Sequence, residues 1–140
     1  MAATELRAKH LLAAATAVAT VATVGSLYLS LGLGLVPCEL CWYQRILMYP
    51  LVVILGVATL ESRVEVFKMV LPLSVLGLGI AAYHSYIQLV PTAAVTSCSF
   101  DAGGSSCSAV LFKVAGLTVP NLSLIAFVLI TGLVVAALRR

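Results

Sequence analysis

Apolar positions in this chain fall into four long runs separated by short polar breaks. The first extends from Leu11 to Val36 and is interrupted mainly by Thr and Ser, whose hydroxyls can bond back to the helix. The second runs from about Trp42 to Leu60, the third from about Met69 to Val90, and the fourth from Val119 to Leu138. A helix that crosses a bilayer needs roughly 20 such residues. The pattern therefore predicts an all-α membrane protein, a single domain over residues 1–140 built as a four-helix transmembrane bundle with spans of about 11–36, 42–60, 69–90 and 119–138. A cleaved signal peptide is the alternative for the first run, with small residues around Thr23, Gly25 and Ser26. Apolar character continues through Leu27, Tyr28 and Leu29 to Val36, well past the roughly 7–15 residues of such a segment, which favours an uncleaved span.

The breaks carry the polar residues. Glu61 to Lys68 reads as a short charged turn, and Pro91 ends the third run. Pro50 removes one backbone hydrogen bond inside the second run and predicts a kink there. Residues 91–118 form the long polar connection, within which Ala109 to Val114 is apolar but too short to cross and is expected to lie on the membrane surface. Gly32, Gly34, Gly77 and Gly79 suit close packing of helices in lipid.

Composition strengthens this picture. Hydrophobic residues make up 62% of the chain and charged residues 9%, against a soluble average near 45–50% and 25%. The formal charge of +3 does not point to nucleic acid, because the eight Lys and Arg form no basic run. They act instead as topology markers. Arg7, Lys9, Arg63, Lys68, Arg139 and Arg140 collect on one side of a four-span bundle, and only Arg45 and Lys113 fall on the other. By the positive-inside rule both termini are expected to be cytoplasmic, in a multi-pass protein of the cell membrane. All four cysteines then face outward, in two extracytoplasmic loops where disulfides persist.

Cys38-Glu39-Leu40-Cys41 places two thiols three residues apart, a spacing that can close a reducible disulfide or share a metal. With the second helix expected to begin just after Cys41, the free N–H groups and positive dipole end favour a thiolate there, and Arg45 adds a cation on the same face. Cys41 is therefore expected to be the more reactive of the two. Cys98 and Cys107 enclose a segment with Gly103-Gly104 that lets the sulfurs meet. Alone, that pair reads as a structural staple. Beside a reducible C-x-x-C it forms a relay, since thiolate–disulfide exchange can pass two electrons between pairs. Arg45 and His84 fall at a similar shallow depth in their helices, about 6 and 9 Å from the outer ends at 1.5 Å per residue. Ionisable residues inside spans usually face the bundle interior and mark function. A cation, an imidazole and a reactive thiol at one level suit a lipid-soluble two-electron acceptor such as a quinone. Arg45 would stabilise negative charge on a quinone oxygen, and His84 would hydrogen-bond the ring or help move protons. Gln44 and Gln88 read as polar lining or interhelical hydrogen-bonding groups.

The run Cys38-Glu39-Leu40-Cys41-Trp42-Tyr43-Gln44-Arg45 is joined by Tyr83-His84, by Gln88-Leu89-Val90-Pro91, by the Cys98/Cys107 loop and by Val119-Pro120-Asn121. Together these resemble the disulfide bond formation protein B family (DsbB/BdbC) over essentially the whole chain. The resemblance implies a quinone-dependent thiol oxidoreductase, using ubiquinone or menaquinone from the membrane pool, that reoxidises a secreted thioredoxin-fold (DsbA-like) partner. On it, Cys98 or Cys107 forms the mixed disulfide with the partner, with Cys98 favoured. Cys38–Cys41 restores the loop pair, and Cys41 passes electrons to the quinone beside Arg45, with His84 and Gln44 near it. The short Cys98 to Cys107 spacing resembles the compact Gram-positive type. Vitamin K epoxide reductase-like proteins are the nearer competitor, but in their layout the C-x-x-C lies late and the loop pair early. A four-thiolate metal-binding module is a second alternative, which the outward topology opposes; no metal ligand is assigned.

Overall fold

Helix α1 runs from Ala2 to Leu27 and passes directly into a π-helical turn, Tyr28–Gly32. The computed structural model describes residues 2–90 and 112–139, so the expectations for Cys98, Asp101, Gly103-Gly104 and Cys107 fall outside the described residues. Hydropathy alone carried the first span to Val36, but helix ends four residues earlier. Gly34 adopts φ +68°, a left-handed conformation that favours glycine, and Pro37 has no N–H to continue a helix.

Helix α2 spans Glu39–Glu61 and so begins three residues before the expected start at Trp42. Cys38 is extended, with φ −75° and ψ 172°, and its carbonyl accepts the Trp42 N–H at 3.1 Å. That is the geometry of an N-cap residue. Glu39 in the first turn suits the positive end of the helix dipole, which is why a charged residue starts the helix here. The helix continues through Pro50. It stops at Ser62, which is left-handed at φ 56°, and Arg63 pairs with Glu61 at 2.9 Å on the exposed turn. Such a pair contributes about 0–1 kcal/mol. A 3₁₀ turn, Val64–Val66, leads into α3, Phe67–Leu89.

Ahead of the last helix, β1 (Lys113–Val114) and β2 (Leu117–Thr118) form a small antiparallel hairpin. Its two-residue turn, Ala115-Gly116, has positive φ at both positions, the form that matches strand twist. The described end of the 109–114 segment, Lys113–Val114, is thus paired backbone. Helix α4 covers Val119–Leu138, as expected, with Pro120 in its first turn where a missing N–H costs nothing.

All four helices are long and apolar enough to cross a membrane. They close a ring in which α1 packs on α2, α2 on α3, α3 on α4 and α4 on α1. Phe67, Phe127, Leu51, Leu55, Ile130 and Val134 fill the interior, with Leu12, Ala15 and Ala19 supplying the small face of α1. The outside is equally apolar: Leu31, Leu60 and Leu89 are 82%, 87% and 78% exposed. Lipid is the solvent such a surface requires. Thr16 and Thr59 bridge α1 and α2 with a 2.8 Å hydroxyl hydrogen bond. Of the four glycines read as packing positions, Gly77 alone holds two helices close. A Cβ on it would stand 2.1 Å from the Phe127 ring. Gly79 faces open space, Gly32 meets only the ring of Tyr28, and Gly34 serves the turn.

Candidate active site

At the end of the bundle where α2 and α4 begin and α3 finishes, a cavity of about 90 Å³ opens between the helices. Cys38, Cys41, Gln44, Arg45 and His84 all line it, together with apolar side chains such as Leu29, Val36, Met48 and Phe127. Elements distant in sequence thus bring every described residue of the proposed site to one chamber.

The two sulfurs stand 3.3 Å apart as a dithiol. That separation is longer than a bond of about 2.05 Å and short enough for one rotamer change to close it. Cys38 is buried and packs on Ile87 of α3; Cys41 is half-buried. Because Cys38 caps the helix and Cys41 belongs to its first turn, the helix end no longer favours Cys41 alone. Both sulfurs lie at the dipole's positive pole.

His84, 1% exposed, puts Nε2 3.6 Å from Cys38 Sγ and Nδ1 3.0 Å from the Gln44 side-chain amide. Sequence depth had set the imidazole beside Arg45 and Cys41. The structure gives Cys38 as its sulfur contact, because depth along a helix fixes level but not which neighbour a side chain meets. Gln44 is buried and holds the ring, so it acts on the histidine first.

Arg45 is anchored from α1. Its Nε donates to Ser26 Oγ at 2.8 Å, one terminal nitrogen donates to the Ser26 carbonyl at 2.9 Å, and the same nitrogen reaches Ser30 Oγ. Its Cζ lies 5.5 Å from the centroid of the Trp42 ring, a cation–π contact. These contacts tie the guanidinium to α1 at the wall of the cavity. Tyr43 donates to Glu39 at 3.0 Å on the exposed face and takes no part in the cavity. Gln88 does line it.

Among the lining residues missed in the sequence are the hydroxyl-bearing Thr23, Ser26 and Ser30. Their spacings of three and four put the hydroxyls on one stripe of α1 and its π turn, a pattern that could have singled them out. The Thr23 hydroxyl oxygen is buried and finds no hydrogen-bond partner among the described residues.

A sequence model of the family described as "Disulfide bond formation protein DsbB" matches residues 7–137. The chain is 47% identical over 115 residues to "Disulfide bond formation protein C" of Bacillus subtilis (strain 168), covering 81% of each. It is 40% identical to a "Probable disulfide formation protein" of Chlamydia trachomatis, covering 85% of each, and 37% identical to one of Metapseudomonas resinovorans, covering 88% of this chain and 85% of that one. No solved structure matches the chain.

Proposed function

The chain belongs to the DsbB family of disulfide bond formation proteins, and from that premise we propose that it is a thiol:quinone oxidoreductase that reoxidises a secreted, thioredoxin-fold (DsbA-like) partner. It is a membrane oxidoreductase of disulfide formation with four spanning helices. On our reading it sits in the cytoplasmic membrane with both termini inside and the cysteines outside, as its basic residues favour.

The overall reaction converts partner dithiol plus quinone to partner disulfide plus quinol. A partner thiolate attacks the Cys98–Cys107 disulfide, and the resulting mixed disulfide, through Cys98, resolves to release oxidised partner. The loop dithiol then reduces Cys38–Cys41 by the same exchange. Finally the Cys38 and Cys41 thiols, 3.3 Å apart, re-form their bond and give up two electrons and two protons, for which a quinone in the cavity would be the sink.

The observation that carries the acceptor end is the chamber itself: a dithiol and a firmly held guanidinium open into the same mostly apolar space. The residues fit a quinone. Apolar walls suit its ring, Arg45 suits oxygen charge, and the unpartnered Thr23 hydroxyl is a donor without an acceptor. When bound, a quinone supplies a sink for two electrons and two protons. Arg45 would hold it, kept in place by Ser26 and Ser30, with His84 and Gln44 lining the same wall and fixing the Cys38 sulfur. A donor already fixed where charge develops needs no reorganisation.

Trp42, the only tryptophan, reports on this chamber because it lies against Arg45. Titrating a short-chain quinone into detergent-solubilised protein should quench its fluorescence saturably. Thr23→Val should weaken the quinone about fivefold to tenfold, the value of one lost hydrogen bond of about 1–1.5 kcal/mol. Linear quenching, identical in both proteins, would place the quinone elsewhere.

A further inference from the structure

The same geometry offers a different chemistry when the pair is reduced. The Cys38 and Cys41 sulfurs and one ring nitrogen of His84 all lie within 4.8 Å of one another. In a tetrahedral site with metal–sulfur bonds of about 2.3 Å and metal–nitrogen bonds of about 2.0 Å, two sulfurs stand roughly 3.8 Å apart and a sulfur and a nitrogen roughly 3.5 Å apart. The Cys38–His84 separation of 3.6 Å matches, while the Cys38–Cys41 separation of 3.3 Å falls about half an ångström short of the sulfur–sulfur value. A small shift of the Cys41 sulfur, away from that of Cys38 and toward the imidazole, completes the geometry.

Two further features favour a metal. The Gln44 side-chain nitrogen stands 3.0 Å from His84 Nδ1, and a half-turn of that amide brings its oxygen there instead. With its oxygen turned to accept from Nδ1–H, the Nε2 lone pair faces Cys38, which is how ligating histidines are held. Charge also balances, because two thiolates and a neutral imidazole neutralise a divalent ion in a buried setting where a net charge would be costly.

We propose that reduced Cys38 and Cys41, with His84, form a three-donor site for a soft or borderline divalent ion of the zinc class, whose fourth position opens to the cavity. Binding displaces the two thiol protons and involves no electron transfer. Closing the disulfide removes both thiolates, so the site exists only in the reduced protein. A bound ion ties up the electron pairs that the relay needs, which makes the metal a reversible brake on reduced enzyme. The brake rests on the proposed function; the binding does not. The site also differs from a four-thiolate module, since it uses His84 in place of Cys98 and Cys107.

Cobalt(II), a visible-absorbing probe for zinc, tests the binding apart from activity. The full chain with Cys98→Ser and Cys107→Ser, reduced and freed of reductant without oxygen, should take up one cobalt with tetrahedral thiolate bands that zinc displaces. Disulfide-closed wild type should take up none. His84→Ala should weaken the metal at least tenfold, and Gln44→Leu by about 10–100-fold. Zinc-edge X-ray absorption on reduced wild type, which needs no substitution, should report two sulfurs and one imidazole nitrogen. Four sulfurs, affinity unchanged by His84→Ala, or equal uptake by oxidised protein would each overturn the site. If zinc binds as described but leaves quinone reduction by the reduced protein unaffected, the brake is wrong while the site stands.

Discussion

Cys41→Ser protein, mixed with excess reduced partner and quinone, should oxidise about one equivalent of partner and then stop. On the proposed relay the loop pair keeps its disulfide in this variant and can be spent once by exchange. Restoring it requires a Cys38–Cys41 disulfide, which serine cannot form. Steady turnover should therefore drop below about one-thousandth of wild type, the scale of losing a covalent nucleophile. Free thiols counted by rapid quench separate the first equivalent from the rest. Continued turnover would mean that electrons leave the loop pair by another route.

Arg45→Ala is expected to damage the other half of the cycle. The guanidinium donates to the Ser26 hydroxyl, the Ser26 carbonyl and the Ser30 hydroxyl, and it lies against Trp42, so its charge is fixed before any ligand arrives. Removing a preorganised charged donor costs about 10²–10³ in rate. That loss should appear in kcat/KM for the quinone, whereas single-turnover exchange between partner and loop pair should keep its wild-type rate. Arg45→Lys should restore only part of the loss, because two different nitrogens of the planar group are in use and an ammonium cannot reproduce that fork. An equal slowing of both half-reactions would instead mark Arg45 as a general packing residue.

The four spans were legible because hydropathy dominates in lipid, and Val119–Leu138 was read with both ends correct. The other ends depend on local backbone chemistry that hydropathy does not contain. Glu39 looks like a loop residue until Cys38 is recognised as a cap. Leu33, Leu35 and Val36 look like helix until Gly34 and Pro37 are given their conformations. Arg45 was legible as an interior charge from its depth, and the structure adds its anchors. His84 was legible as a site residue but not as a neighbour of Cys38, since sequence gives the level of a side chain and leaves its direction to packing. Thr23, Ser26 and Ser30 were hidden because a hydroxyl in a span ordinarily bonds its own helix, as Thr16 does to Leu12 and Thr20 to Thr16.

Quinone absorbance and partner thiol content, followed in one sample of purified wild-type protein and its Cys98→Ser variant, test the coupling most directly. One quinone should disappear for each partner disulfide formed by wild type, and neither signal should advance catalytically in Cys98→Ser. Partner oxidation without matching quinone loss, or undiminished turnover in Cys98→Ser, would contradict a relay that runs from the loop pair through Cys38 and Cys41 to the quinone.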